Sequence, residues 1–147
     1  MKRHLNLLLA ITMFAGAFAM TAQAQTAGSQ KVVANIPFAF NVGNKTLPAG
    51  KYTITVVNPS SDRKILQIRN ASGRSNAIVM TTAVSGNAAD DAKLVFRRYG
   101  DRYFFSQAQM AGDSTSLAAI QSNAERAQKQ MIAATKGKQS IVVVIAE

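Results

Sequence analysis

The chain of 147 residues has no cysteine, and its one histidine is His4, in the first few positions. Whatever folds after the N-terminal leader described below therefore has no imidazole and no thiol. That excludes a Ser-His-Asp or Cys-His catalytic arrangement, a zinc site of imidazoles and thiolates, and a haem held by either ligand. It also removes disulfides, so packing and hydrogen bonds alone hold the fold. Acids are scarce: Asp62, Asp90, Asp91, Asp101, Asp113, Glu125 and Glu147 are all of them. Each falls in an expected turn, loop, helix cap or terminus, where a carboxylate serves local backbone hydrogen bonding. A Ser-Lys pair or a carboxylate dyad remains the only route to hydrolysis that the composition leaves open. Asp90-Asp91 with Asn87 offers oxygens to calcium, but the alternating ligands and distal glutamate of a calcium hand are missing. No glycine-rich phosphate loop is present, so nucleotide binding has no support, and no cofactor is expected.

Long apolar runs are equally rare. The longest, Leu5 to Ala19, follows Lys2, Arg3 and His4 and precedes Ala22-Gln23-Ala24. This is the form of a secretory signal peptide over residues 1–24, with cleavage expected between Ala24 and Gln25. An apolar stretch of about 15 residues is short for a membrane span, which needs roughly 20. The expected product is a periplasmic or extracellular domain over 25–147 with no transmembrane span. Its 123 residues suit one domain with a modest core.

Basic residues are what the chain has in excess. Setting aside Lys2 and Arg3 leaves 15 Lys and Arg against seven acids, about +8. In an exported protein this charge suits anionic envelope polymers or lipid headgroups, and the compartment argues against nucleic acid. The same charge also serves plain solubility.

Alternation of apolar side chains runs through most of the mature sequence. Val32, Ala34, Ile36, Phe38, Phe40 and Val42 occupy every second position, the period of a half-buried strand. Pro37 lacks an N–H, so that strand is expected at an edge or a bulge. Gly43-Asn44 and Leu47-Pro48-Ala49-Gly50 supply bends before a second strand at Lys51 to Val57. Further strands are expected at 64–69, at 75–84, apolar on both faces in its middle and so a candidate central strand, and at 93–99 and 102–110 joined by a Gly100-Asp101 hairpin turn. Leu117, Ile120, Ala124, Ala127, Met131 and Ala134 are spaced as one apolar stripe on a helix over about 117–135. Ser122-Asn123-Ala124-Glu125 has capping-box form, which offers a later start, and Gly137 is placed to stop it. A last strand, 141–146, is apolar on both sides and expected to be covered. The fold class is mainly β: an antiparallel β-sandwich or partly closed β-barrel of about seven strands with one C-terminal helix.

One surface stands out. Lys93, Arg97, Arg98 and Arg102 cluster around the hairpin with Tyr99 and Tyr103 among them, so guanidinium groups beside aromatic rings could face an anionic polymer or headgroup. Against this, alternate residues of the same strands read as core and the arginines as a solvated face.

The motifs Ile36-Pro37-Phe38-x-Phe40-x-Val42-Gly43-x-Lys45-x-Leu47-Pro48-Ala49-Gly50-x-Tyr52-x-Ile54, Leu94-Val95-Phe96-x-x-Tyr99-Gly100-x-x-Tyr103-Phe104 and Ser122-x-Ala124-Glu125-Arg126 together resemble a group of small exported bacterial β-proteins of unassigned function. The resemblance implies no catalytic residues. The expected role is a non-enzymatic envelope or secreted module for binding or structure. The alternatives are a carrier of a small hydrophobic ligand, with Phe38, Phe40, Ile54 and Ile78 lining its interior, and a small hydrolase using carboxylates or Ser-Lys.

Overall fold

The computed structural model describes residues 30–147, and the expected leader and its cleavage site lie outside these described residues. Ten strands and one C-terminal helix follow in order: β1 (Lys31–Ile36), β2 (Phe40–Val42), β3 (Lys45–Leu47), β4 (Gly50–Val56), β5 (Ile65–Asn70), β6 (Asn76–Ser85), β7 (Lys93–Tyr99), β8 (Arg102–Gln109), β9 (Thr115–Ala119), α1 (Asn123–Ala134) and β10 (Gln139–Ile145). The fold is mainly β, and its strands form one sheet that is not closed.

The expected first strand is two strands. The alternation is real, since Val32, Ala34, Ile36, Phe40 and Val42 are all buried. But β1 ends its ladder with β4 at the Ile36–Gly50 pair, and Pro37 cannot donate to continue it. After Pro37-Phe38-Ala39 the chain crosses to another part of the sheet, where β2 pairs with β3 and lies parallel to β8. The bend at 47–50 is fixed from inside: the Tyr52 hydroxyl, on a fully buried ring, donates to the Pro48 carbonyl at 2.7 Å.

β6 is the strand that joins the two regions. Its first half pairs with β5, and from Thr81 onward it pairs with β9. Thr81 is buried at the handover, with both its N–H and its hydroxyl donating to the Lys64 carbonyl. β6 is a central strand, as expected, lying between β5 and β9, but only one of its faces is covered. Ala77 and Val79 point into the core, whereas Ile78 and Met80 lie 68% and 59% exposed on the other face. A run that is apolar on both sides does not by itself say that two layers flank it.

β7 and β8 form the expected hairpin. Gly100 has φ 61°, and Asp101 has no such positive value, so the left-handed conformation falls on the first turn residue, as in a type II′ turn. The register shifts between Val95 and Phe96, which pair with Gln107 and Phe105, leaving Ser106 as an extra residue in β8.

The helix begins later than the apolar stripe suggests. Leu117 belongs to β9 and is buried in the core, paired with Ala83 of β6 and Ala108 of β8. Ser122 is the N-cap, its hydroxyl oxygen accepting from the Glu125 N–H at 3.1 Å. At the other end, the Gly137 N–H donates to the Ile132 carbonyl and the Lys136 N–H to the Ala133 carbonyl, the paired bonds of a Schellman motif. The left-handed position is occupied by Lys136 (φ 53°), not by a glycine. Gly137 is required for space: a Cβ there would lie 2.9 Å from Ile132 Cγ2.

β10 pairs antiparallel with β7 from Gln139–Tyr99 to Ile145–Lys93. Val142 and Val144 pack on the core, but Ile141, Val143 and Ile145 are exposed, so this strand too has one covered face where two were expected. Following pairings, β1, β4, β5, β6, β9, β8, β7 and β10 form one continuous path through the open sheet. β10 and β1 share no ladder; just past β10 the Glu147 N–H donates to the Val33 carbonyl of β1 at 2.9 Å, and the exposed Glu147 carboxylate pairs with Lys51 of β4. In the core, Phe40 packs edge-on against Tyr52 and Phe96, with Leu47, Ile54, Leu66, Ile68 and Leu94 fully buried in the same cluster. Burying each such side chain contributes on the order of 1.5–3 kcal/mol.

Candidate functional site

The six residues singled out around the hairpin separate into three places. Paired residues of an antiparallel ladder share a face, and the pairs here are Tyr99–Arg102, Arg98–Tyr103 and Arg97–Phe104. Arg97, Tyr99, Arg102 and Phe104 therefore occupy the outer face, where α1 lies. Arg98 and Tyr103 occupy the opposite face, toward Phe38. Lys93 is at the far end of β7, about 20 Å from the turn at roughly 3.3 Å per residue. It rims a shallow depression of about 280 Å³ with Ala88, Asp90, Asp91 and Ile145.

On the outer face the chemistry is internal. Glu125, 4% exposed, receives Arg97 Nη1 at 2.5 Å and the Tyr99 hydroxyl at 3.1 Å on the same oxygen, Oε1. Arg97 Nε donates to Ser106 Oγ at 3.0 Å, so the extra residue of β8 holds the guanidinium in place. Capping-box form led to the expectation that Glu125 serves the helix N-terminus. Its N–H does meet Ser122, but its carboxylate turns away to Arg97 and Tyr99. Burial, then the neighbouring carboxylate charge, pushes the Tyr99 hydroxyl above its ordinary pKa of 10.0. Arg102 Nη1 donates to Gln128 Oε1 at 3.3 Å and its guanidinium lies 5.9 Å from the Phe104 ring. Tyr99 is fully buried, and Arg97 is spent on Glu125; neither is presented at the tip.

On the opposite face, Phe38 stacks on Tyr103 with ring centroids 4.0 Å apart, and Arg98 lies 5.4 Å from the Tyr103 ring. Arg98 Nε donates to the Gly100 carbonyl at 2.7 Å, and Nη2 is 3.7 Å from the fully exposed Asp101. These contacts leave Arg98 43% exposed at a depression of about 360 Å³ that it lines with Gly100, Asp101, Lys138 and Ser140. Sequence reading missed Lys138 and Ser140, because only the β7–β10 pairing carries them to the hairpin. The register that places Ser140 opposite Arg98 has no local signature.

The helix docks by its polar side. Glu125 and Gln128 are its buried residues, and Gln121 and Ile132 continue that line at spacings of four, three and four. Ala127, Met131 and Ala134, half of the expected apolar stripe, are exposed. Ile120 is exposed as well, between β9 and α1.

Of the residues named for a hydrophobic cavity, Phe40 and Ile54 are fully buried in packed core, Phe38 is half-buried under Tyr103, and Ile78 points outward. They do not line one space. Asp90 and Asp91 are both exposed, and among the described residues no three acidic or histidine side chains converge. Nor is any described helix long and apolar enough to cross a membrane. Comparison with protein-family models, curated proteins and solved structures finds no match to this chain.

Proposed function

We propose that this chain is an exported, non-enzymatic β-module, a partly closed barrel, that binds an anionic partner at the end carrying the β7–β8 turn. The observation that carries the reading is the convergence of Arg98, Lys138 and Ser140 on one shallow depression, with Arg102 on the neighbouring face of the same turn. A guanidinium, an ammonium and a hydroxyl around an open hollow are donors suited to sulfate, phosphate or carboxylate groups. Asp101 opposes them only weakly, since it is solvent-exposed at 3.7 Å from Arg98. The continuous strand path from β1 to β10 and the packed aromatic interior support a rigid scaffold that displays this end. The absence of histidine and cysteine beyond residue 4 supports a binding role over catalysis.

Dextran sulfate is a suitable probe, titrated against the chain from Gln25 onward at low and at physiological salt. Binding that weakens with salt, and that falls at least tenfold in the Arg98→Ala/Arg102→Ala/Lys138→Ala variant, is the expected result. Equal binding by a folded triple variant rules this surface out. Arg97 is left unchanged in that variant because its removal strands the buried Glu125 carboxylate.

A further inference from the structure

The outward face of α1 and the adjoining face of β10 combine two properties that the core does not explain. Ile141, Val143 and Ile145 are paired with Arg97, Val95 and Lys93 of β7, so they lie on the face that bears α1. They are 66%, 50% and 57% exposed, and Met131 of the helix is 60% exposed. A helix with six charged or amide residues, Asn123, Glu125, Arg126, Gln128, Lys129 and Gln130, and an alanine-methionine stripe would ordinarily turn the stripe inward. Here Glu125 and Gln128 are claimed by Arg97, Tyr99 and Arg102, and that pairing forces the stripe out.

Along α1 and the start of β10, around Met131, Ile141 and Val143, the exposed charge is positive, while Asp90 and Asp91 lie beside Ile145 at the other end of the strand. From Ser122 to Ala146 the cations are Arg126, Lys129, Lys136 and Lys138, and the only acid is Glu125, which is buried against Arg97. All four cations are exposed. A second copy of the chain brought onto this face would set like charges against each other, which disfavours self-association. An apolar strip bordered by exposed Lys and Arg instead matches a bilayer with anionic headgroups, where the strip enters the headgroup boundary and the cations meet phosphate.

We infer that α1 and the outer face of β10 form a peripheral docking surface for anionic phospholipid bilayers. This rests on the reading above of an anionic partner and names it as a lipid surface. The bilayer is touched and not spanned: Met131, Ile141 and Val143 supply shallow apolar contact, and Lys129 and Lys136 the electrostatic part.

The test is co-sedimentation of the chain from Gln25 onward with vesicles of phosphatidylglycerol and phosphatidylcholine, against vesicles of phosphatidylcholine alone, with dextran sulfate binding measured in parallel. All described strands and the helix lie within that chain, and omitting the leader removes its own affinity for lipid. The expected result is binding to the anionic vesicles only. Met131→Ser/Ile141→Ser/Val143→Ser should lower vesicle affinity at least about tenfold with dextran sulfate binding retained. Lys129→Glu/Lys136→Glu leaves the apolar strip intact and should lower vesicle affinity by more than about fivefold per position, because each change also reverses the charge. Binding to dextran sulfate without binding to anionic vesicles, or vesicle binding unaffected by both variants, overturns the lipid inference and leaves the anionic-partner reading standing. Binding to neither probe overturns both. A dimer in light scattering that the apolar variant abolishes assigns the face to a second copy and also overturns the inference.

Discussion

The Glu125 carboxylate of α1 meets the Arg97 guanidinium of β7 at 2.5 Å, and this contact fixes which side of the helix faces the sheet. Both side chains are largely withdrawn from water, and the Tyr99 hydroxyl and Ser106 complete their hydrogen bonding. Removing one partner of such a pair leaves the other uncompensated. Arg97→Ala is expected to destabilise the fold by about 3 kcal/mol, and Glu125→Gln by less, since the amide still accepts a hydrogen bond. Urea denaturation measures both. The double variant should lose less than the sum of the two, because the residues are directly coupled.

Tyr99 makes stability depend on alkaline pH. Its folded pKa is raised above 10.0 by burial and by Glu125, so above pH 10 the unfolded chain loses this proton before the folded chain does. The unfolded state then binds fewer protons, and stability must fall as pH rises through that window. Below pH 10 the group contributes no slope. Urea midpoints at pH 9 and pH 11 should converge in Tyr99→Phe relative to the unmodified chain; an identical slope in both contradicts the assignment.

The end of α1 offers a paired test. Lys136 sits at φ 53°, where a side chain costs free energy that glycine does not, so Lys136→Gly should stabilise by about 1 kcal/mol. Gly137→Ala should destabilise, because its Cβ would meet Ile132 Cγ2 at 2.9 Å. Thermal unfolding of the two variants should move in opposite directions.

Leu117 and Ile120 separate the observed strand from the helix expected over the same residues. Leu117 is 4% exposed in β9 and Ile120 is 57% exposed beyond it. Leu117→Ala is expected to cost about 2–4 kcal/mol, and Ile120→Ala under about 0.5 kcal/mol. Equal effects would favour one continuous helix.

These residues also show what a sequence can and cannot reveal. Strand period was legible because burial alternates strictly along β1, β4 and β7 as far as Arg97, and Gly100-Asp101 carried the hairpin turn in its own chemistry. The break at Pro37 was signalled, but the crossing to β8 was not, because parallel pairing of β2 with β8 joins residues more than 60 positions apart. The helix was misread at its face. Its stripe is mostly alanine and carries little apolar area, while the opposite side meets Arg97, Tyr99 and Arg102, whose positions only the tertiary register sets. The basic residues around the hairpin are likewise distributed by the register: alternation sets Arg97 and Arg98 on opposite faces, and Lys138 arrives through β10.

The account rests on the polar side of α1 facing the sheet and its Met131 side facing an anionic membrane. Because the chain has no cysteine, Met131→Cys can carry one environment-sensitive fluorophore, with Ser72→Cys, on a loop outside that face, as the control. On addition of phosphatidylglycerol-containing vesicles, the account expects a blue shift at position 131 and none at position 72. No shift at 131, or equal shifts at both positions, would contradict it.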